Sequence, residues 1–149
     1  MSEQIKSVGK WVSIIERYGQ MYLERKYQKY GIGHGQVKFL LLLYQKDGVS
    51  QDTLAHQLRM DKATTARAIQ KLECVGFVRR QPREEDRRVN LVYLTGEAIK
   101  IKQEVKAILK TWTDVITKGF SQEEKELLLE MLKRVADNAV DYFNELERR

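Results

Sequence analysis

Apolar positions recur at intervals of three and four along most of this chain, and the places where that rhythm breaks mark its elements. They fall at Ile5, Val8, Val12, Ile15, Tyr18, Tyr22 and Leu23, one face of a helix predicted over residues 5–30. Gly31, Gly33 and Gly35 make continuation of that helix costly. A second helix is predicted over residues 36–45. Its run from Phe39 to Leu43 is wholly apolar, so most of its sides should be buried. Asp47-Gly48 signals a turn, and Val49 leaves room for only a very short strand. Ser50 then reads as an N-cap, with Asp52 favourable in the first turn of a short helix ending near Leu58. After a tight turn at Arg59-Met60, Asp61 caps a helix over residues 62–75, with Thr65, Ile69, Leu72 and Val75 inward and Gly76 as its stop. Two strand-like runs follow, residues 77–81 and 89–94, joined by the charged loop 82–88. The helical rhythm returns over residues 96–119, with Ile101, Val105, Ile108, Trp112 and Val115 or Ile116 on one side. Ser121 and Glu124 form a capping-box pattern for a last helix striped by Leu128, Met131 or Leu132, Val135, Ala139, Tyr142 and Leu146.

That order predicts a mainly α protein with a small β-hairpin wing. A winged helix–turn–helix occupies residues 36–95 of a single chain-long unit, 1–149. Residues 1–30 and 96–149 supply long flanking helices, too one-sided for so small a centre to cover. Their apolar stripes are expected to be dimerisation surfaces in a homodimer.

Composition narrows the reading. A chain of 149 residues with 42% hydrophobic positions can build one core. The longest unbroken apolar stretch, Phe39 to Tyr44, is too short to span a bilayer, and the first four residues do not open a signal segment. No membrane partner is expected. The single cysteine, Cys74, excludes an intramolecular disulfide and a thiolate cluster, which fits a cytoplasmic setting. The formal charge is +6, and its distribution matters more than its sum. Residues 59–88 hold nine basic against five acidic side chains, whereas residues 121–149 hold five against eight. A basic centre alone is often only a solvated face, so it needs a motif inside it before nucleic acid is implied.

The motif is there. In a helix–turn–helix the second helix presents its N-terminal part to the major groove. Lys62, Thr64, Arg67 and Gln70 fall on the outward face of that helix. These side chains suit phosphate, guanine, adenine and thymine contacts. In the loop, Asp86 and Arg88 stand two apart; in extended chain they point the same way, so the carboxylate can brace the guanidinium. A braced arginine at a hairpin tip suits a narrow minor groove, and Arg83 and Arg87 would serve phosphates. The expected partner is double-stranded DNA with a pseudo-palindromic operator.

The stretch from Leu54-Ala55 through Leu72-Glu73, Gly76-Phe77-Val78 and Asp86-Arg87-Arg88 to Leu91-Val92-Tyr93-Leu94-Thr95 resembles the MarR family of bacterial and archaeal regulators. The most specific part is D-x-R followed by L-x-x-L-T, and the flanking helices match the family's whole length. The resemblance implies a dimeric winged-helix repressor or activator, often released from DNA by small phenolic ligands or by oxidation. Two positions depart from the family pattern: Arg59 and Ala98 stand where glycine is usual.

The remaining candidates are weaker. The sensing cysteine of peroxide-responsive members lies near the start of the first helix, where this chain has none. Cys74 is therefore expected to be a small packed or half-buried thiol. His34, with Tyr18, Tyr22 and Trp11, could line a site for a small aromatic ligand, although aromatic stripes more often make core or interface. The Gly31-x-Gly33-x-Gly35 pattern lacks the strand and Lys-Ser/Thr of a phosphate loop. His34 and His56 form no metal-ligand motif, and no G-x-S-x-G elbow occurs, so no enzyme, cofactor or metal is expected. The rival reading is a winged-helix module that docks another protein without specific DNA binding.

Overall fold

A computed structural model describes residues 6–149, and Ile5 lies outside the described residues. Ser7 accepts the Lys10 backbone N–H and opens helix α1, Val8–Tyr27. A 3-10 turn, Gln28–Tyr30, follows in place of the last helical turn expected there, and Gly31 closes it in the left-handed region. Helix α2 runs His34–Gln45 and starts two residues earlier than its apolar pattern indicates. Gly33 is its N-cap, and the Gln36 amide oxygen accepts the Gly33 N–H at 2.8 Å. His34 and Gly35 thus belong to a helix and not to a loop. A glycine cap has no side chain to signal it, which is why the start was hidden.

The next elements are β1, Val49–Ser50; α3, Gln51–Leu58; α4, Lys62–Cys74; β2, Val78–Pro82; and β3, Asn90–Leu94. Ser50 and Asp61 cap α3 and α4, accepting the N–H groups of Thr53 and Thr64 at 3.0 Å each. Arg59, the C-cap of α3, adopts φ 54°, the left-handed conformation that glycine takes more cheaply. The wing is antiparallel, with Val78 opposite Leu94 and Pro82 opposite Asn90; β1 adds a third strand, Val49 opposite Val92, giving the order β1-β3-β2. Pro82 extends β2 by one residue beyond expectation, which an outer strand permits.

The root of the wing is held at Thr95. Its N–H donates to the Phe77 carbonyl at 3.0 Å, and its hydroxyl donates to the Gly76 carbonyl at 2.6 Å. Thr95 also N-caps α5, Gly96–Lys100. The long helix expected over residues 96–119 is interrupted at Ile101 (φ −96°, ψ 1°), after which α6 runs Lys102–Ile116. Tyr44 donates its hydroxyl to the Ala98 carbonyl at 2.7 Å, next to the interruption. Burial pushes that phenol up to about 12, so it remains a donor at neutral pH. Helix α7, Gln122–Glu147, opens on the expected capping box of Ser121 and Glu124.

The chain divides into two compact units, Met1–Trp112 and Thr113–Arg149, and the division falls within α6. The core of the first unit contains Tyr27, Val37, Phe39, Leu40, Leu43, Leu54, Ile69, Leu72, Val92 and Val105. Tyr27 is fully buried and donates its hydroxyl to the Val105 carbonyl at 2.8 Å, joining the end of α1 to α6. On α1 only the later turns pack inward. Val8, Trp11, Val12, Ile15 and Tyr18 are all exposed. In the second unit, α7 has no buried residue.

Candidate nucleic-acid interface

Helix α4 is amphipathic in the way a recognition helix must be. Thr65, Ala68, Ile69 and Leu72 are buried, while Lys62, Arg67 and Gln70 are exposed and Thr64 is half-buried. Val75 was expected on the inner face, but it lies just past the helix as its C-cap and is exposed. Against α4 lies α3, which buries Leu54 and Ala55, with Leu58 partly covered. The small Ala55 lets the helices approach closely. Lys62 Nζ lies 3.7 Å from Asp52 Oδ2, and Arg67 rests on its own helix, donating to Thr64 Oγ1 at 3.2 Å. Both side chains are solvated and can leave these contacts at little cost. Asp61 caps the helix and its carboxyl is held below the ordinary range by the Thr64 side chain, then by the Thr64 N–H.

The wing tip brings Asp86 and Arg88 together. Arg88 Nε donates to Asp86 Oδ1 at 3.0 Å and its terminal nitrogen to Oδ2 at 3.2 Å, a bidentate pair. The geometry is not the extended one expected. Asp86 Oδ1 also accepts the Arg88 N–H at 3.1 Å, and the Val89 N–H donates to the Asp86 carbonyl at 3.0 Å. The pair therefore forms inside a turn, where an aspartate bonds the backbone two residues on. Arg88 stays exposed, as does Arg87, while Arg83 is half-buried. Hydrogen bonds from the Arg88 side chain, then its N–H, hold the Asp86 carboxyl below the ordinary carboxylate range. A lowered pKa keeps the brace intact above the ordinary range and releases it only as pH falls through the lowered value. The Arg88 Nε–H resonance should therefore stay constant from about pH 8 to pH 5 and move only in stronger acid. A midpoint near 4 would show an unbraced carboxylate.

Sequence patterning missed Arg80. It sits on the packing side of β2, two residues after the buried Val78, and contacts Glu73 on α4 and Gln51 on α3. A charged residue at an inward position of a short strand, seven residues after a helical glutamate, was the available signal. On the other side of the wing, the Arg79 guanidinium lies 4.4 Å from the centre of the Tyr93 ring.

The candidate ligand residues are not brought into one place. Tyr22 stacks on Trp112 at 5.0 Å and donates to the Ile108 carbonyl at 3.2 Å. With Tyr18, Met21, Arg25 and Lys26 they line an apolar groove of about 500 Å³. His34 instead pairs with Glu24, Nδ1 to Oε1 at 2.6 Å, in a recess of about 540 Å³ bounded by Arg25, Gln28 and Lys71. There the Glu24 carboxyl is held low by the imidazole and the His34 N–H. A Cβ at Gly33 would meet the Glu24 carboxylate, so a larger residue there would have to displace Glu24 from His34. Trp11 lines neither recess and is exposed. Cys74, expected to be packed or half-buried, is exposed in the last turn of α4. Among the described residues no cluster of His, Cys, Asp and Glu has the makings of a metal site, and no helix is long and apolar enough to cross a membrane.

Comparison with known proteins bears directly on this arrangement. A model of the MarR family matches residues 32–89. Over 104 residues the chain is 34% identical to the uncharacterized HTH-type transcriptional regulator YybA of Bacillus subtilis (strain 168), covering 70% of this chain and 69% of that protein. A MarR transcriptional regulator from Methanosarcina mazei Go1 has a TM-score of 0.82 at 37% identity, covering 93% of each chain. The same fold occurs in a putative MarR family transcriptional regulator from Listeria monocytogenes, solved in complex with 26mer DNA. Its TM-score is 0.88 at 22% identity, covering 97% of this chain and 96% of that one.

Proposed function

The chain belongs to the MarR family of DNA-binding transcriptional regulators, and from that premise we propose that it is a homodimeric repressor of a pseudo-palindromic operator. The observation that carries this reading is the pairing, in one compact unit, of an exposed Lys62/Arg67/Gln70 face with a wing tip whose Arg88 is already braced. Lys62 and Thr64 serve the backbone at the helix N-terminus, and Arg67 and Gln70 meet base edges. Arg88 enters the minor groove, positioned by Asp86, while Arg83 and Arg87 meet phosphates. A Listeria protein of the same fold was solved in complex with 26mer DNA, which supports duplex DNA as the partner. The cytoplasm is the compartment that fits an operator-bound regulator.

The second copy is argued from the apolar side chains that this chain leaves in water. Trp11, Val12 and Ile15 on α1, and Leu129, Leu132 and Val135 on α7, are each more than two-fifths exposed. Isolated exposed leucines are ordinary, but repeated ones along two helices mark an interaction surface. A small aromatic ligand would enter the groove at Tyr18, Tyr22 and Trp112, where Arg25 and Lys26 can meet a carboxylate. His34 stays with Glu24 and takes no part in that contact.

Two-fold symmetry in the protein requires two-fold symmetry in the DNA. Duplexes selected from a random pool should contain two inverted half-sites, with centres about 10 base pairs apart or a multiple of that spacing. Footprinting should protect one major-groove segment in each. A single unsymmetrical half-site would contradict the dimer, and protection absent from the major groove would contradict the helix assignment.

A further inference from the structure

Strand β2 is an outer strand of the sheet, so one row of its backbone groups has no strand partner. One of those donors, the Arg80 N–H, is met from α4: Glu73 Oε2 accepts it at 3.3 Å. The other oxygen of the same carboxylate, Oε1, accepts the Arg80 guanidinium at 2.9 Å. A second guanidinium nitrogen donates to Gln51 Oε1, in the first turn of α3, at 3.4 Å. One wing side chain therefore touches both helices of the helix–turn–helix. Arg80 and Glu73 are both partly buried, so the pair is less screened than a fully solvated one. The hydrogen bond from Arg80 holds the Glu73 carboxyl below its ordinary range, so the clamp is ionised at neutral pH.

Position gives this contact its leverage. The wing root is fixed by Thr95 on the Gly76 and Phe77 carbonyls. Arg80 lies three residues further out, about 10 Å along an extended strand. On the β3 edge, β1 pairs with Leu91 and Val92, and Arg80, opposite Val92, holds the β2 edge at the same level. A ribbon held along one edge alone can twist about it, and holding the second edge sets its direction. The tip at Arg88 lies beyond both attachments, so slack at Arg80 is magnified there.

We propose that Glu73, Arg80 and Gln51 form a positioning clamp that sets the angle between wing and recognition helix, so that Arg88 and the α4 face engage one duplex together. The clamp rests on the DNA-binding reading above. Neither Glu73 nor Arg80 touches DNA in this account; they act through Arg88. Arginine suits the task because its planar fork reaches two partners, whereas a lysine would hold one.

The sign of one substitution separates a clamp from a simple surface charge. Glu73→Ala removes a negative charge beside a polyanion, which by itself would tighten binding. A clamp predicts weaker binding, by about three- to tenfold on the selected duplex. A double-mutant cycle then tests the coupling. Arg88→Ala should weaken binding about tenfold in the unaltered chain but less than about threefold when combined with Glu73→Ala. Arg80→Gln, which breaks the same contact from the wing side, should abolish the coupling equally, and Arg80→Lys should restore only part of it. Melting curves confirm that each variant is folded, and the cycle can be completed with Arg80→Gln if Glu73→Ala fails that check. Equal losses from Arg88→Ala in all backgrounds, or tighter binding by Glu73→Ala, would overturn the clamp. If Arg88→Ala has no effect in the unaltered chain, the wing's DNA contact fails and the clamp fails with it. Loss of affinity on Arg67→Ala then tells whether DNA binding by α4 survives.

Discussion

Changing Leu132 and Val135 together to aspartate should convert the proposed dimer into a 17.5 kDa monomer that holds its operator more weakly by about 100-fold or more. The two residues are three apart on α7, so they share a face, and they are 46% and 44% exposed. Covering an aliphatic side chain contributes about 1.5–3 kcal/mol, and burying an unpaired carboxylate in its place costs several more. Because no residue of α7 is buried within the chain, the substitution spares the core of the first unit. The DNA effect follows from valency. A dimer that has bound one half-site presents its second helix at high effective concentration, whereas a monomer must bind each half-site separately. Light scattering on the variant gives the mass, and titration with the full and half operators gives the affinity. A variant that remains dimeric would remove α7 from the interface. A monomer that binds the full operator as well as the unaltered protein would remove dimerisation from recognition.

Arg67→Ala should cost about 1–3 kcal/mol on the selected duplex and much less on a scrambled one, because a bidentate contact to a base edge is lost only where that base is present. Arg88→Ala should behave differently. It should weaken both duplexes similarly and reduce the slope of log affinity against log salt by about 1, the signature of a backbone or groove contact. The contrast comes from where the two guanidiniums sit. Arg67 projects from the second turn of α4, free to exchange Thr64 for a base, whereas Arg88 is committed in orientation by both Asp86 oxygens. Asp86→Ala should reproduce a milder form of Arg88→Ala, since the aspartate positions and does not touch. If Arg67→Ala weakened both duplexes alike, α4 would be an electrostatic element and sequence would be read elsewhere.

Much of this arrangement is legible locally. Ser50, Asp61 and Ser121 cap the helices they were expected to cap, because an oxygen on a short side chain satisfies a first-turn N–H wherever it occurs. The inward face of α4 followed from spacing at Thr65, Ile69 and Leu72. What escaped depends on groups distant in sequence or on a missing side chain. Gly33 caps α2 with no side chain of its own, so nothing in the spacing extends that helix back from residue 36 to His34. The interruption at Ile101 contains neither proline nor glycine; it lies beside a carbonyl that accepts the Tyr44 hydroxyl, 54 residues away in sequence. Val75 is exposed because α4 ends at Cys74 and the helical angle no longer applies beyond it, whereas Cys74, two residues after the buried Leu72, faces outward on the helix itself. At the wing tip the Asp86–Arg88 pairing was legible, but its turn geometry was not. The pairing of Arg80 with Glu73 needs strand β2 laid against α4, a tertiary fact at which the sequence hints only through a charge at an inward strand position.

The central claim is that α4 and the wing together read duplex DNA. Its most direct test is the affinity of the unaltered protein for a selected and a scrambled duplex across a salt series. The account predicts a straight fall of log affinity with log salt on both, at about 0.9 per phosphate contacted, with the selected duplex bound on the order of 10³-fold more tightly throughout. Equal affinities for the two duplexes, or a slope near zero, would contradict it and leave the winged helix as a surface for docking protein.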